Sequence, residues 1–162
     1  MDELKEQKRD SARRAVIDRL PKNLSETYKN ILDRVTNTDD LEIGRRALTW
    51  LLYAVRPLRL SHLATAASID PRSHFSQTQR VDEDEIISDI CGPLIKINEK
   101  TRIVELSHIS VKQYLMARQL PGGEINPHYL NEADGNVLLM KACFMYLASP
   151  CFQTCLSEYR VA

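Results

Sequence analysis

The sequence predicts a mostly α domain that carries one short β hairpin. Amphipathic runs at helical spacing fill most of the 162 residues. Two short β-prone runs, Leu94 to Ile97 and Arg102 to Leu106, flank Asn98-Glu99-Lys100-Thr101, as two strands flank a four-residue loop. Start and stop residues separate one run from the next.

Asp2 to Leu20 is highly charged with a thin apolar stripe, which predicts a surface helix or connector over residues 1–20. Pro21 ends it. Asn23 stands three residues before Glu26, a capping-box-like start, and Leu24, Tyr28, Ile31, Leu32 and Val35 then mark one helix face. Asp39 and Glu42 repeat the start signal. Leu41 to Val55 is apolar around more of its circumference and is expected to be the central helix, with Trp50 in the core and Pro57 as the stop. Leu58 and Leu60 bracket Arg59 in an extended link, and Ser61 is the expected cap of a short helix from His62 to Ile69. Asp70 to Arg80 lacks periodic apolar residues and predicts a loop.

Asp82 and Glu85 form the next capping box, and Ile86, Ile87, Ile90 and Cys91 supply the apolar face. Gly92 suits the left-handed position after a helix, and Pro93 prevents continuation. Beyond the hairpin, Ser110 and Gln113 are the expected caps of a helix, with Ile109 and Tyr114 as a hydrophobic staple and Val111, Tyr114 and Leu115 facing the core. Pro121-Gly122-Gly123 separates that helix from the last long one, Glu132 to Ala148. Pro150 breaks the final residues.

Helix, helix, helix, two-stranded wing, helix is the order of a winged-helix domain. The expected organisation is a connector over 1–20, the winged helix over 21–120 and a helical extension over 121–162.

Charge and motifs narrow the function. Lys and Arg number 22, and so do Asp and Glu. A nucleic-acid binder usually shows a basic excess or face, and balance also removes general attraction to membranes. The run Asp82-Glu83-Asp84-Glu85 opens the helix that would read DNA in a nucleic-acid-binding winged helix, where carboxylates repel phosphates. Lys96, Lys100 and Arg102 in the wing do not outweigh them. Arg45 and Arg46 are expected on a solvated face. Cys91, Cys143, Cys151 and Cys155 have no zinc spacing, and the first two sit in apolar helical runs as expected buried thiols. His62, His74 and His128 have no partners at ligand spacing. No phosphate-binding glycine loop, G-x-S-x-G or H-E-x-x-H occurs. Neither a signal-peptide pattern nor an apolar run near the ~20 residues of a membrane span is seen, so a cytoplasmic location is expected. His108 lies where the second strand meets the next helix, near a partly positive helix end that can hold a phosphate.

Four ordered segments carry a resemblance: LPKNLSETYKNIL (Leu20 to Leu32), ALTWLLYAVRPLRLSHLATA (Ala47 to Ala66), IISDICGPLIKI (Ile86 to Ile97) and VELSHISVKQYL (Val104 to Leu115). Over Leu20 to Leu147 the chain resembles the winged-helix segment that follows the NACHT ATPase domain in fungal NLR-like STAND proteins, often with ankyrin repeats beyond. The resemblance implies a non-catalytic signalling module that docks on a NACHT NTPase domain, in cis or in trans. ADP or ATP would be bound by that domain and not by this chain. His108 matches the junction histidine that approaches the nucleotide in such proteins. Where many relatives place Asp next, this chain has Ile109. No catalytic residue and no metal ligand is expected. Apolar surfaces meant for neighbours allow a homo-oligomer, and no nucleic-acid or membrane partner is expected. The alternatives are a nucleic-acid-binding winged helix and a small enzyme on a repurposed regulatory fold.

Overall fold

The computed structural model describes residues 22–71 and 85–149. The connector over 1–20, most of the expected loop, the Asp82 to Asp84 part of the acidic run, His74, Cys151 and Cys155 lie outside the described residues. So does the cap expected at Asp82, whereas Asn23 falls inside the first described helix, whose helical backbone already begins at Lys22, and so is not its cap.

The first described helix, α1, is Lys22–Leu32. Its Tyr28 and Leu32 are buried, while Leu24 and Ile31 pack on the core's edge. Helix α2, Thr38–Tyr53, is central. Its cap is Asn37 and not Asp39: the Asn37 backbone is extended, and Oδ1 accepts from the Asp39 N–H at 3.1 Å. Asp39 and Asp40 instead place negative charge in the first turn, where it favours the helix dipole. Ala47, Leu48 and Leu52 are buried. Trp50 is only partly buried, at the margin of the core.

The extended link is a strand. β1, Leu58–Arg59, pairs antiparallel with β3, Ile103–Leu106, which also pairs with β2, Ile95–Ile97. The expected hairpin is present, and the sheet has three strands in the order β1-β3-β2. Val104 faces both Leu58 and Ile97 in the register and is buried. The hairpin turn is held by Asn98, whose Oδ1 accepts from the Lys100 and Thr101 N–H groups at 3.0 Å each. Arg102, with φ +57°, takes the left-handed position that returns the chain.

Helix α3 is Leu60–Ser68, capped by the Arg59 backbone. Ser61 is not the cap, because β1 runs directly into the helix; its carbonyl accepts from Thr65 Oγ1. Helix α4, Glu85–Cys91, is followed by a 3-10 turn, Gly92–Leu94, with Gly92 left-handed as expected. Helix α5 is Ile109–Met116, and α6 is Glu132–Ala148, the expected bounds. Val111, Tyr114 and Leu115 are buried as expected. Ile109 is 60 % exposed, so no staple forms with Tyr114.

α2, β1, α3, α4 and the β2-β3 wing are the elements of a winged helix in winged-helix order. Their apolar faces enclose one core, to which Leu60, Leu63, Ile87, Leu94 and Val104 each contribute about 1.5–3 kcal/mol by leaving water.

Gly44 fixes how closely α4 approaches α2. A Cβ there would overlap Ile90 Cγ2. Helix propensity alone favours Gly44→Ala by roughly 0.5–1 kcal/mol. The Ile90 methyl is on a β-branched carbon and cannot turn away. We therefore expect Gly44→Ala to lower stability by about 1–3 kcal/mol in a urea melt, the cost of overpacking.

Candidate functional site

The wing and α5 meet at Ser107 and His108. The Ser107 N–H bonds the Leu94 carbonyl at 2.9 Å and closes the end of the wing. His108 follows in extended conformation and caps α5, its Nδ1 accepting from the Ser110 N–H at 3.2 Å. The imidazole does what an Asn or Ser oxygen does at other helix starts. Ser110 was the expected cap. It sits inside the first turn instead, 5 % exposed, with its Oγ 2.7 Å from His108 Nδ1 and 2.7 Å from the Tyr28 hydroxyl.

One proton arrangement satisfies these groups. Tyr28 donates to Ser110 Oγ, Ser110 donates to His108 Nδ1, and the His108 proton sits on Nε2. His108 itself is exposed, and Nε2 has no hydrogen-bond partner among the described residues. An N–H donor thus stands at the N-terminus of α5, the chemistry a phosphate contact needs. A Ser–His contact is also the start of a nucleophile and base pair. Ser110 Oγ, however, is buried between Tyr28 and the imidazole, and the contact caps a helix.

We expect His108→Ala to cost about 0.5–2 kcal/mol of stability, and His108→Asn to recover most of it. Thermal melts of the two variants separate the cap from any role of Nε2.

The chain of contacts continues across the core. The Tyr28 and Tyr114 rings are 5.6 Å apart, and those of Tyr114 and His128 are 6.4 Å apart. His128 Nε2 lies 2.9 Å from Asp33 Oδ1, so His128 has a local partner. Tyr114 is fully buried, and its hydroxyl has no partner among the described residues. Burial, with the Asp33 charge, pushes its pKa up to about 12.

Sequence reasoning missed Asn126. Its side chain is buried and donates to the carbonyls of Tyr114 at 2.7 Å and Ala117 at 3.0 Å. Its Oδ1 accepts from the His128 N–H at 2.9 Å. This amide fastens the 121–131 connection to the end of α5 and sets His128 against Asp33. The Asn-Pro pair at Asn126-Pro127 is a turn signal that marked the position.

Arg46 is not on a solvated face. It is buried, and its Nε donates to the Ala67 carbonyl at the end of α3, with Glu42 one turn before it on α2. Arg45 is exposed and reaches the Tyr129 carbonyl at 3.2 Å.

Helix α4 stands where a DNA-reading helix would. Its sequence EIISDIC contains no Lys or Arg, Ile87, Ile90 and Cys91 are buried, and Asp89 is exposed. Burial pushes the Cys91 thiol up to about 12, so it is an inert core residue. Cys143, expected to be buried, is exposed. His62 is exposed on α3. No group of three His, Cys, Asp or Glu side chains among the described residues could hold a metal ion. No described helix is long and apolar enough to cross a membrane.

Helix α6 is rich in apolar residues, with Glu132, Asp134 and Lys141 as its charged ones. Gly135 and Ala142 face the interior, and a Cβ at Gly135 would lie 2.6 Å from the Tyr53 ring. The opposite side exposes Val137, Met140, Phe144 and Leu147, with Phe144 at 65 %. Charged residues usually cover the outer face of a surface helix.

Residues 32–123 match the family model described as the GPI inositol-deacylase winged helix domain. The chain is also similar to the azaphilone pigments biosynthesis cluster protein L of Monascus ruber, 30 % identical over 141 residues that cover 81 % of this chain. It spans 29 % of that relative's length. No solved structure matches.

Proposed function

We propose a regulatory, protein-docking role for this chain, which belongs to the family of the GPI inositol-deacylase winged helix domain. The deacylase named there belongs to that family's description and supplies no chemistry here. The reading is a non-catalytic winged helix that leans on a NACHT-type NTPase domain, in cis or in trans. It holds that domain while ADP is bound and gives way on exchange for ATP.

The observation that carries the reading is the apolar outer face of α6. Val137, Met140, Phe144 and Leu147 are exposed there, where burial against a partner would release water from large side chains. Two further features support it. Helix α4, with no basic residue and Asp89 exposed, offers nothing to DNA phosphates. The chain spans 29 % of the matched relative's length, a proportion that suits a module set beside further sequence. In the intact parent, His108 Nε2–H is the donor assigned to the nucleotide, at the N-terminus of α5. ADP or ATP is held by the NTPase domain, and this chain alone binds neither tightly.

The test is co-purification of the full chain with a NACHT-type NTPase domain. Retention with ADP and release with ATP is the expected result. Nucleotide-independent capture, tight nucleotide binding by the chain alone, or salt-dependent retention of duplex DNA would overturn the reading.

A further inference from the structure

We propose that two copies of this chain pair antiparallel through the outer face of α6, and that the pairing hides this face until a partner displaces one copy. The proposal rests on the reading of that face as a docking surface and names what regulates it. Val137, Met140, Phe144 and Leu147 follow a 3-4-3 spacing, the a and d positions of two heptads. All four are exposed among the described residues. On the same lettering Gly135, Ala142 and Ser149 fall at f, on the opposite side, and these are buried. The small residues thus face inward and the large apolar ones outward. That is the reverse of a surface helix that serves only its own core.

A second copy is the occupant because the stripe complements itself. Val137 and Leu147 stand five residues either side of Ala142, and Met140 and Phe144 stand two either side. A two-fold axis level with Ala142 therefore sets Val137 of one copy against Leu147 of the other, and Met140 against Phe144. Every a position meets a d position. Such a contact is isologous and closes at two copies. The flexible Met140 thioether reaches the Phe144 ring twice, a favourable sulfur–aromatic contact. Antiparallel axes also oppose the helix dipoles. Charge does not stand in the way. Beside the stripe, Lys141 shares a shallow pocket with Arg45, Arg46, Glu42, Asp70 and Asp134, so cations and carboxylates balance there. The formal net charge of the chain is zero, which removes the self-repulsion that keeps highly charged proteins apart. Four side chains from each copy fall short of the ~20 residues a side of a standard interface. The pair is accordingly weak and reversible, which suits a face that must be released to a partner.

Sedimentation velocity of the full chain over a range of concentrations is the test. The wild type is expected to shift from monomer to dimer as concentration rises. Val137→Glu should weaken that association about tenfold or more, since a carboxylate is pressed against Leu147 of the other copy. Adding Leu147→Lys to Val137→Glu should restore it, because the new carboxylate of each copy then meets the new ammonium of the other. Parallel pairing would bring like charges together and give no rescue. Circular dichroism checks that each variant folds. Should either fail, Met140→Glu with and without Phe144→Lys makes the same comparison one layer further in. A wild type that is monomeric at every concentration, a dimer that Val137→Glu leaves intact, or a double variant no tighter than the single one would overturn the proposal. Addition of an ADP-loaded NACHT-type NTPase domain is then expected to convert the dimer to a one-to-one complex. A monomer that still binds that domain would sink the pairing and leave the docking role standing. A dimer with the expected rescue that ignores the domain would sink the docking role, and with it the regulation proposed here.

Discussion

Tyr114→Ala is expected to lower folding stability by about 3–5 kcal/mol, the range for removing a buried aromatic ring. No described side chain of greater volume is so completely buried, and Tyr114 packs between Tyr28 of α1 and His128 of the connection. Emptying that space leaves α1 and the 121–131 stretch facing a void. Tyr114→Phe should behave oppositely. The hydroxyl it removes is buried without a partner among the described residues, so the ring is kept and a desolvation penalty is relieved. We expect Tyr114→Phe to match or exceed the wild type in a urea melt at neutral pH. The sign of the pH dependence follows from the raised pKa. The folded state keeps Tyr114 protonated to about 12, while an unfolded tyrosine ionises near 10. Stability from this group is complete below pH 10 and is lost as pH rises from 10 towards 12. Tyr114→Phe should therefore remove part of the alkaline loss of stability, measured as melting temperature against pH.

Asn126→Asp should be nearly as costly, at about 3 kcal/mol, because two buried carbonyls lose their donor and a carboxylate is pressed against them. The Tyr114 and Ala117 carbonyls both depend on Asn126 Nδ2. Asn126→Ala also leaves the His128 N–H without its acceptor, but introduces no charge. We therefore expect Asn126→Asp to be the worse of the two at neutral pH and to recover part of its loss as acid neutralises the carboxylate. Urea melts at neutral and acidic pH compare them directly.

Both residues show what the sequence could and could not tell. Tyr114 was legible as core because it falls on the same helical face as Val111 and Leu115. Asn126 was not, since an asparagine before a proline looks like a surface turn until its amide is seen between two carbonyls of α5. Helix α6 was bounded as found because Asn131 caps it locally and Pro150 stops it. The third strand was read only as an extended link, because a two-residue strand is defined by its partner, and Ile103 and Val104 lie far along the chain. Asn37 and Asp39 are both competent caps by type, and only the backbone decides between them. Arg46 was misplaced because periodicity cannot see the Ala67 carbonyl that receives it. At His108 the position was legible but its role as the cap was not, since helix starts usually use an oxygen where this one uses a ring nitrogen. Cys143 was expected inside because it lies in an apolar helical run, but among the described residues nothing covers it.

The docking role rests on that outer face, and Phe144→Glu tests it most directly. Phe144 is exposed, so the substitution should leave the melting temperature close to wild type. Calorimetric titration of the full chain against an ADP-loaded NACHT-type NTPase domain should show binding by the wild type and its loss in Phe144→Glu. Equal affinities for the two chains, with both folded, would contradict the account.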